Sequence, residues 1–313
     1  MAGIELYAPR TERHRRTWTA FAIPLSVIFI ILGMMPGAFI GLINHIPLIP
    51  GTSWIGDVYQ LLIFGPIIGI FLLWAWLFER RGPQTLGFNS DFVKRYLRGL
   101  AIGLGFLATV VGSIWLLGGY QFESLGFWRA PSLMTFVPLV ALFLGFMVQG
   151  ATEETAMRGY LLQVIASRHG IYWGIAVNMI VFSLLHAGNI KPSPELAVGL
   201  LNIVLVAIFL SFYAIREGSL WGVCAWHTAW NWLLGVGFGL EVSGEKLAAA
   251  PIVVDLMGKP GAAWWLTGAS FGPEGSLVTS VVLGAAIAWQ VSKGALKQGE
   301  GYPAPQKLAE TAV

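Results

Sequence analysis

The chain has 313 residues, of which 56% are hydrophobic and only 11% are charged. A soluble domain typically carries about 25% charged residues, so this composition excludes an ordinary water-soluble protein and predicts extensive contact with membrane lipid. The net charge of +3 does not indicate nucleic-acid binding, because the basic residues fall almost entirely between apolar runs. We therefore expect no nucleic-acid partner.

Eight apolar runs are long enough to cross the hydrocarbon core of a membrane as a helix, which takes about 20 residues. They predict an all-α fold, a polytopic membrane helix bundle of about eight transmembrane helices. The first run is too long for the apolar part of a signal peptide and lacks a small-residue cleavage site, so we expect it to remain as an anchor. The runs cover residues 18–43, 58–78, 97–117, 133–152, 172–188, 196–215, 218–240 and 275–292.

Lysine and arginine fall mainly on one side of the predicted bundle. If the N-terminus is cytoplasmic, fourteen lie on the cytoplasmic side and four on the other side. Because cytoplasmic loops carry an excess of basic residues, both termini are predicted to be cytoplasmic. The four are Arg129, Lys191, Lys246 and Lys259, and the fourteen are Arg10, Arg13, Arg15, Arg16, Arg80, Arg81, Lys94, Arg95, Arg98, Arg168, Arg216, Lys293, Lys297 and Lys307.

Small residues inside two apolar runs have structural interpretations. Gly99, Gly103 and Gly105 predict a close approach between neighbouring helices, because glycine leaves room for a second backbone. Cys224 is the single cysteine, which excludes an internal disulfide. Its apolar surroundings indicate a packing residue rather than a reactive thiol.

Ionisable side chains inside apolar runs are costly and usually face a cavity or each other. Glu154 and Arg158 are four residues apart and share a helix face, so an ion pair can neutralise both. Glu153 is rotated by about 100° and can point elsewhere. This spacing predicts one structural carboxylate and one free carboxylate.

Two further apolar runs carry histidine. His227 and Asn231 are four residues apart and share a face, and Phe182 lies one turn before His186. If the chain turns at 168–170, Glu153 and His186 lie at nearly equal distances from the turn, and an antiparallel hairpin places them side by side.

Each of these polar residues also has a purely structural interpretation. A histidine in a membrane span often serves as an interhelical hydrogen-bonding residue, and Glu154 with Arg158 could be a buried structural pair. Two carboxylates, two histidines and an amide nevertheless fall on three helices, while the other spans contain almost no ionisable groups. This concentration favours a functional cluster.

Three motifs on separate apolar helices resemble, in order and spacing, those of the CAAX protease and bacteriocin-processing family of intramembrane proteases, which includes type II CAAX prenyl endopeptidases. The resemblance is strongest over 85–240, and it divides the chain into an N-terminal region (1–84), a protease-like core (85–297) and a tail (298–313) predicted to be disordered. The motifs are Glu153-Glu154-x-x-x-Arg158, Phe182-x-x-x-His186 and His227-x-x-x-Asn231, with Leu86-Gly87-Phe88 resembling the segment before the family's core.

The resemblance implies a helical bundle with a polar cavity that opens to the cytosol, where a glutamate activates water to cleave a peptide or protein substrate. Carried onto this chain, it makes Glu153 the general base. The resemblance also implies the other roles: Glu154 is held by Arg158 as a support, His186 orients the water, and His227 with Asn231 stabilises the oxyanion.

Metal dependence stays open at this point. Members of the family are usually described as metalloproteases, and His186, His227 and Glu153 could form a two-histidine, one-carboxylate zinc site. The chain has no His-Glu-x-x-His helix, in which ligands are paired locally. A metal-free glutamate mechanism is therefore slightly favoured.

Two other functions fit an intramembrane polar cluster. A transporter or proton relay uses the same residue types, but it is expected to show an internal repeat, and none is evident. A catalytically inactive immunity or binding protein is expected to have lost the base or the oxyanion residues, and all are present. We expect a peptidase in membrane lipid, in the inner membrane of a bacterium.

Overall fold

The structure is a computed structural model that describes residues 4–47, 49–295 and the backbone of 302–303. It is an all-α membrane helix bundle, as the sequence predicts. The predicted disorder of 298–313 lies outside the described residues, apart from the short strand at Tyr302–Pro303. The helices are α1 (Thr19–Ile43), α2 (Trp54–Leu62), α3 (Gly65–Leu77), α4 (Phe92–Leu116), α5 (Leu133–Glu154), α6 (Leu162–His169), α7 (Ile171–Leu185), α8 (Pro194–Glu217), α9 (Trp221–Trp232), α10 (Trp264–Thr267) and α11 (Leu277–Ser292).

Two π-helical segments and four strands complete the described elements that bear on the site. Thr155–Leu161 joins α5 to α6, and Leu233–Gly237 continues α9. Strand β2 (Tyr120–Ser124) pairs antiparallel with β3 (Asp255–Gly258), and β1 (Ile4–Glu5) pairs antiparallel with β4 (Tyr302–Pro303). Short 3-10 turns cover Pro83–Leu86, Gly126–Arg129, Ala269–Phe271 and Pro273–Gly275.

Each of the eight predicted runs is largely helical. Five stretches are long and apolar enough to cross a membrane, and α7 and α11 are shorter apolar helices. The run predicted over 133–152 continues without interruption to His169, which makes it much longer than a membrane requires. The five long stretches are Thr19–Ile43, Trp54–Leu77, Phe92–Leu116, Leu133–His169 and Pro194–Glu217.

The ends of the site-bearing helices follow from local sequence. Ser132 caps α5 through its hydroxyl, which accepts a hydrogen bond from the backbone of Thr135. Gly170 ends α6 with a φ of 90°, a left-handed conformation that favours glycine, and α7 begins at the next residue. The predicted turn at 168–170 is therefore confirmed.

The connecting segments gather at two opposite ends of the bundle. At one end, which we call the N-terminal face, Glu79 O accepts a hydrogen bond from Arg15 N and Gly87 O accepts one from Leu220 N. At the other end, the loop face, β2 and β3 pair. The N-terminal face comprises 4–18, 78–91, 169–170 and 218–220, and the loop face comprises 44–47, 49–53, 117–132, 186–193 and 238–276.

Helix α9 packs most extensively against α4, through two of the three predicted glycines. A Cβ atom at Gly99 would lie 2.1 Å from Gly222 O, and one at Gly103 would lie 2.6 Å from Trp226 O. The prediction is wrong for Gly105, because that side of α4 has nothing within 4 Å. The two close approaches fix the depth of α9.

Candidate active site

The Glu154–Arg158 ion pair lies at the junction of α5 and the first π-helical segment. Arg158 Nη1 donates to Glu154 Oε1 at 3.0 Å, and both side chains are fully buried. The Arg158 guanidinium also lies 4.5 Å from the centroid of the Phe182 ring, a favourable cation–π arrangement. The ion pair predicted from the spacing is therefore present.

His227 joins the same carboxylate from α9. Its Nδ1 atom lies 2.9 Å from Glu154 Oε1, within hydrogen-bond distance. An ionised carboxylate only accepts hydrogen bonds, so Nδ1 carries the proton and Nε2 faces away from Glu154. His227 Nε2 lies 3.7 Å from Oε2 of Glu153. The imidazole therefore sits between the two neighbouring glutamates.

Glu153 differs from Glu154 in its surroundings. Its side chain is 15% exposed, whereas that of Glu154 is fully buried. Within the described part of the chain, the Oε2 atoms of both glutamates lack a hydrogen-bond partner, but only Glu154 has an Oε1 atom bound by two side chains. The 3.7 Å separation from His227 is too long for a direct hydrogen bond, and a water about 2.8 Å from both atoms would bridge them.

His186 follows the last residue of α7 and lines the same cavity from another side. Its Nδ1 lies 2.8 Å from the backbone oxygen of Phe182, which accepts the hydrogen bond, and its ring meets Phe182 edge to face at 4.8 Å. The ring of Phe182 also lies 6.4 Å from that of His227. Phe182 therefore supports both imidazoles, but no hydrogen bond in the described residues joins His186 to either glutamate.

Asn231 has a partner that sequence reasoning did not identify. Its Nδ2 atom donates to Gln149 Oε1 at 3.3 Å, and both side chains line the cavity. Gln149 lies four residues before Glu153 on α5, so it shares that helix face. A glutamine at this spacing inside an apolar run was the signal that could have revealed it.

Tyr7 is a second residue that the sequence did not single out. Its hydroxyl donates to the backbone oxygen of Arg158 at 2.9 Å, deep inside the protein. Burial raises the pKa of the Tyr7 phenol, and the Glu154 carboxylate raises it further, which keeps the hydroxyl protonated as a donor. The N-terminal segment thus contributes directly to the support of the π-helical segment.

The cavity has a volume of about 530 Å³, within the usual range for a ligand pocket. Glu153, His186, His227 and Asn231 line it, while Glu154 and Arg158 lie behind its wall. No lysine or arginine lines it among the described residues. The other residues that line the cavity from the helices between α1 and α9 are mainly apolar. The loop face contributes Pro50, Asn189, Val242, Ser243, Glu245, Leu247 and Glu274 to the lining.

The cavity extends from Glu153 to the loop face of the bundle. The resemblance implied an opening to the cytosol, and the distribution of basic residues predicts a cytoplasmic N-terminus. These two expectations are incompatible in this fold, because the N-terminus and the lining loops lie at opposite ends.

The side chains do not form a metal-binding group. Within the described residues, no three His, Cys, Asp or Glu side chains are arranged to hold a metal ion. The absence of such an arrangement extends to the three proposed zinc ligands, which are His186, His227 and Glu153. The Nδ1 atoms of His227 and His186 form hydrogen bonds with Glu154 and a backbone oxygen, so Nε2 is the ring nitrogen of each that could meet a ligand.

One comparison with known proteins gives a match. Residues 135–233 match the family described as Rce1-like, type II CAAX prenyl endopeptidase. No curated protein and no solved structure matches the chain. The matched segment runs from the first turn of α5 into the second π-helical segment, and it contains Gln149 and all six candidate residues predicted from the sequence, but not Tyr7. Over this segment, about a third of the chain, the match supports the resemblance to the CAAX protease family that the three motifs predict.

Proposed function

We propose that the protein is an intramembrane endopeptidase in which Glu153 activates a water molecule to cleave a peptide or protein substrate. The observation that carries the proposal is the contrast between adjacent glutamates. Glu154 Oε1 is bound by Arg158 and His227 behind the cavity wall, whereas Glu153 lines the cavity and its Oε2 atom lies 3.7 Å from His227 Nε2 without a hydrogen bond. A free carboxylate beside a fixed imidazole is suited to general base catalysis.

The reaction follows from these positions. Glu153 takes a proton from water as the oxygen attacks the peptide carbonyl carbon, which forms a tetrahedral intermediate. The Asn231 amide donates a hydrogen bond to the oxyanion, His227 donates a second one through Nε2 when both of its ring nitrogens carry a proton, and His186 orients the water. When the C–N bond breaks, Glu153 returns the proton to the leaving amine. The water supplies the hydroxyl of the new carboxyl group, so the atoms balance.

Glu154 and Arg158 act through position. The buried pair holds His227 Nδ1, so the Nε2 face of the imidazole stays directed toward Glu153. Phe182 packs against the guanidinium from α7, with its ring centroid 4.5 Å away. The proposal needs no metal, because the described side chains offer no ligand cluster.

The central experiment compares Glu153→Gln with Glu123→Gln, a matched change on the exposed loop face. Both proteins are purified in detergent and given a fluorogenic peptide library together with a farnesylated CAAX peptide. Glu153→Gln is expected to reduce cleavage by at least about 10²-fold with an unchanged melting temperature, and Glu123→Gln should behave like the parent. Full cleavage by Glu153→Gln would remove the proposed base.

The proposed environment is the inner membrane of a bacterium, with membrane lipid around the bundle and both termini in the cytoplasm. The excess of basic residues on the N-terminal face supports this orientation. Fusion of a reporter that is active only in the cytoplasm to either terminus tests it, and an inactive reporter at both ends would reverse the orientation.

A further inference from the structure

The loop face forms the open end of the cavity. Three loops on this face contribute lining residues, represented by Pro50, Asn189 and Glu245, of which Asn189 and Glu245 are exposed. In the described parts of the chain, no lining residue comes from the N-terminal face. A substrate that enters from this end of the cavity therefore passes these loops before it meets Glu153.

The N-terminal face is closed beneath the site by packed protein. The Glu154–Arg158 pair lies directly behind the cavity wall. Tyr7, in the N-terminal face, donates a hydrogen bond to the backbone oxygen of Arg158. Glu5 is fully buried there and forms ion pairs with Arg10, Arg16 and Arg81. A route from this side would require these buried charges to separate, which is costly in a low-dielectric interior.

The charge distribution assigns the two faces to the two sides of a membrane. The loop face carries only four basic residues in the sequence, whereas the N-terminal face and its adjoining helix ends carry most of the others. By the positive-inside rule, the N-terminal face is cytoplasmic and the loop face is extracytoplasmic. The four residues on the loop face are Arg129, Lys191, Lys246 and Lys259.

We propose that the substrate reaches Glu153 from the extracytoplasmic side, as a peptide segment of a translocated or membrane-bound protein exposed on that side. The inference rests on the proposed peptidase function and narrows its substrate class. A prenylated C-terminus in the cytosol lies on the closed side of the bundle and does not meet the cavity mouth.

The first test determines which side of the membrane the mouth faces. Three variants, each with one added cysteine at an exposed position, are compared in intact cells: Glu245→Cys at the mouth, Glu123→Cys elsewhere on the loop face, and Ser90→Cys on the N-terminal face. The native Cys224 is buried, so the parent protein should not react. A membrane-impermeant maleimide should label Glu245→Cys and Glu123→Cys directly, and Ser90→Cys only after permeabilisation. Labelling of Glu245→Cys only after permeabilisation would overturn the proposal.

The second test asks whether the mouth is the route to the site. In detergent, modification of Glu245→Cys with a maleimide-linked polyethylene glycol should reduce peptide cleavage by at least tenfold, whereas modified Glu123→Cys should keep its rate. Unchanged cleavage by modified Glu245→Cys would exclude this route. If the parent cleaves no peptide, the proposed function fails, and the labelling pattern still reports the side that the cavity faces.

Discussion

The Nδ1 atom of His227 lies 2.9 Å from Oε1 of Glu154, although 73 positions separate the two residues in the sequence. This contact connects α9 to the end of α5 and fixes which imidazole nitrogen carries the proton. The other nitrogen then faces Glu153 at 3.7 Å. In the proposed mechanism, the Glu154 carboxylate that holds His227 is therefore as necessary as the Glu153 carboxylate that acts as the base.

Replacement of Arg158 by alanine is expected to destabilise the protein. The change leaves the fully buried Glu154 carboxylate without its cation, which costs about 3–5 kcal/mol. Thermal unfolding in detergent should show a markedly lower melting temperature. Arg13→Ala, at an exposed arginine on the N-terminal face, is the control and should leave the melting temperature unchanged. An Arg158→Ala protein as stable as the control would contradict the structural role of the pair.

Replacement of Asn231 by alanine should lower kcat more than it raises KM. Its amide is proposed to stabilise charge that develops only in the transition state, and loss of such a donor costs about 10²–10³-fold in rate. Gln149→Ala should have a smaller effect, because Gln149 acts by holding the Asn231 amide at 3.3 Å. Steady-state kinetics on one cleaved peptide measures both. Equal kcat for the parent and Asn231→Ala would exclude the amide from the oxyanion site.

Two glycines on α4 provide a matched test of the packing that sets the depth of His227. An alanine at position 103 places its Cβ 2.6 Å from Trp226 O and 2.8 Å from Ala229 Cβ, so α9 must shift. We expect Gly103→Ala to lose about 1–3 kcal/mol of stability and part of its activity. Gly105→Ala meets nothing within 4 Å and should be neutral or slightly stabilising. Similar melting temperatures for the two variants would contradict this account of α4 and α9.

Chelation should not reduce peptide cleavage. The described residues contain no group of three metal-ligating side chains, and the proposed reaction uses the Glu153 carboxylate as the base. Incubation with 1,10-phenanthroline or EDTA, followed by an activity assay, tests this directly. Metal analysis of the purified protein should find less than one zinc per chain. A loss of activity that added zinc restores would show that His186, His227 and Glu153 rearrange around a metal.

The sequence by itself determined the fold class and named six of the residues that the candidate site contains. Apolar runs of about 20 residues require helices in a membrane, because every backbone polar group must be bonded within the segment. The spacing of Glu154 and Arg158 on one helix specified their ion pair, since contacts four residues apart are local. The same periodicity separated Glu153 from Glu154.

Only the tertiary structure decided how the helices meet. The contact of His227 with Glu154, the partnership of Gln149 with Asn231 and the bond from Tyr7 to Arg158 all join distant segments, for which no periodicity exists. The direction of the cavity also required the full fold, because it depends on which loops remain apart and which face the N-terminal segment closes. The periodicity of apolar residues predicts which face of a single helix is buried. The packing of several helices against one another decides where a cavity opens.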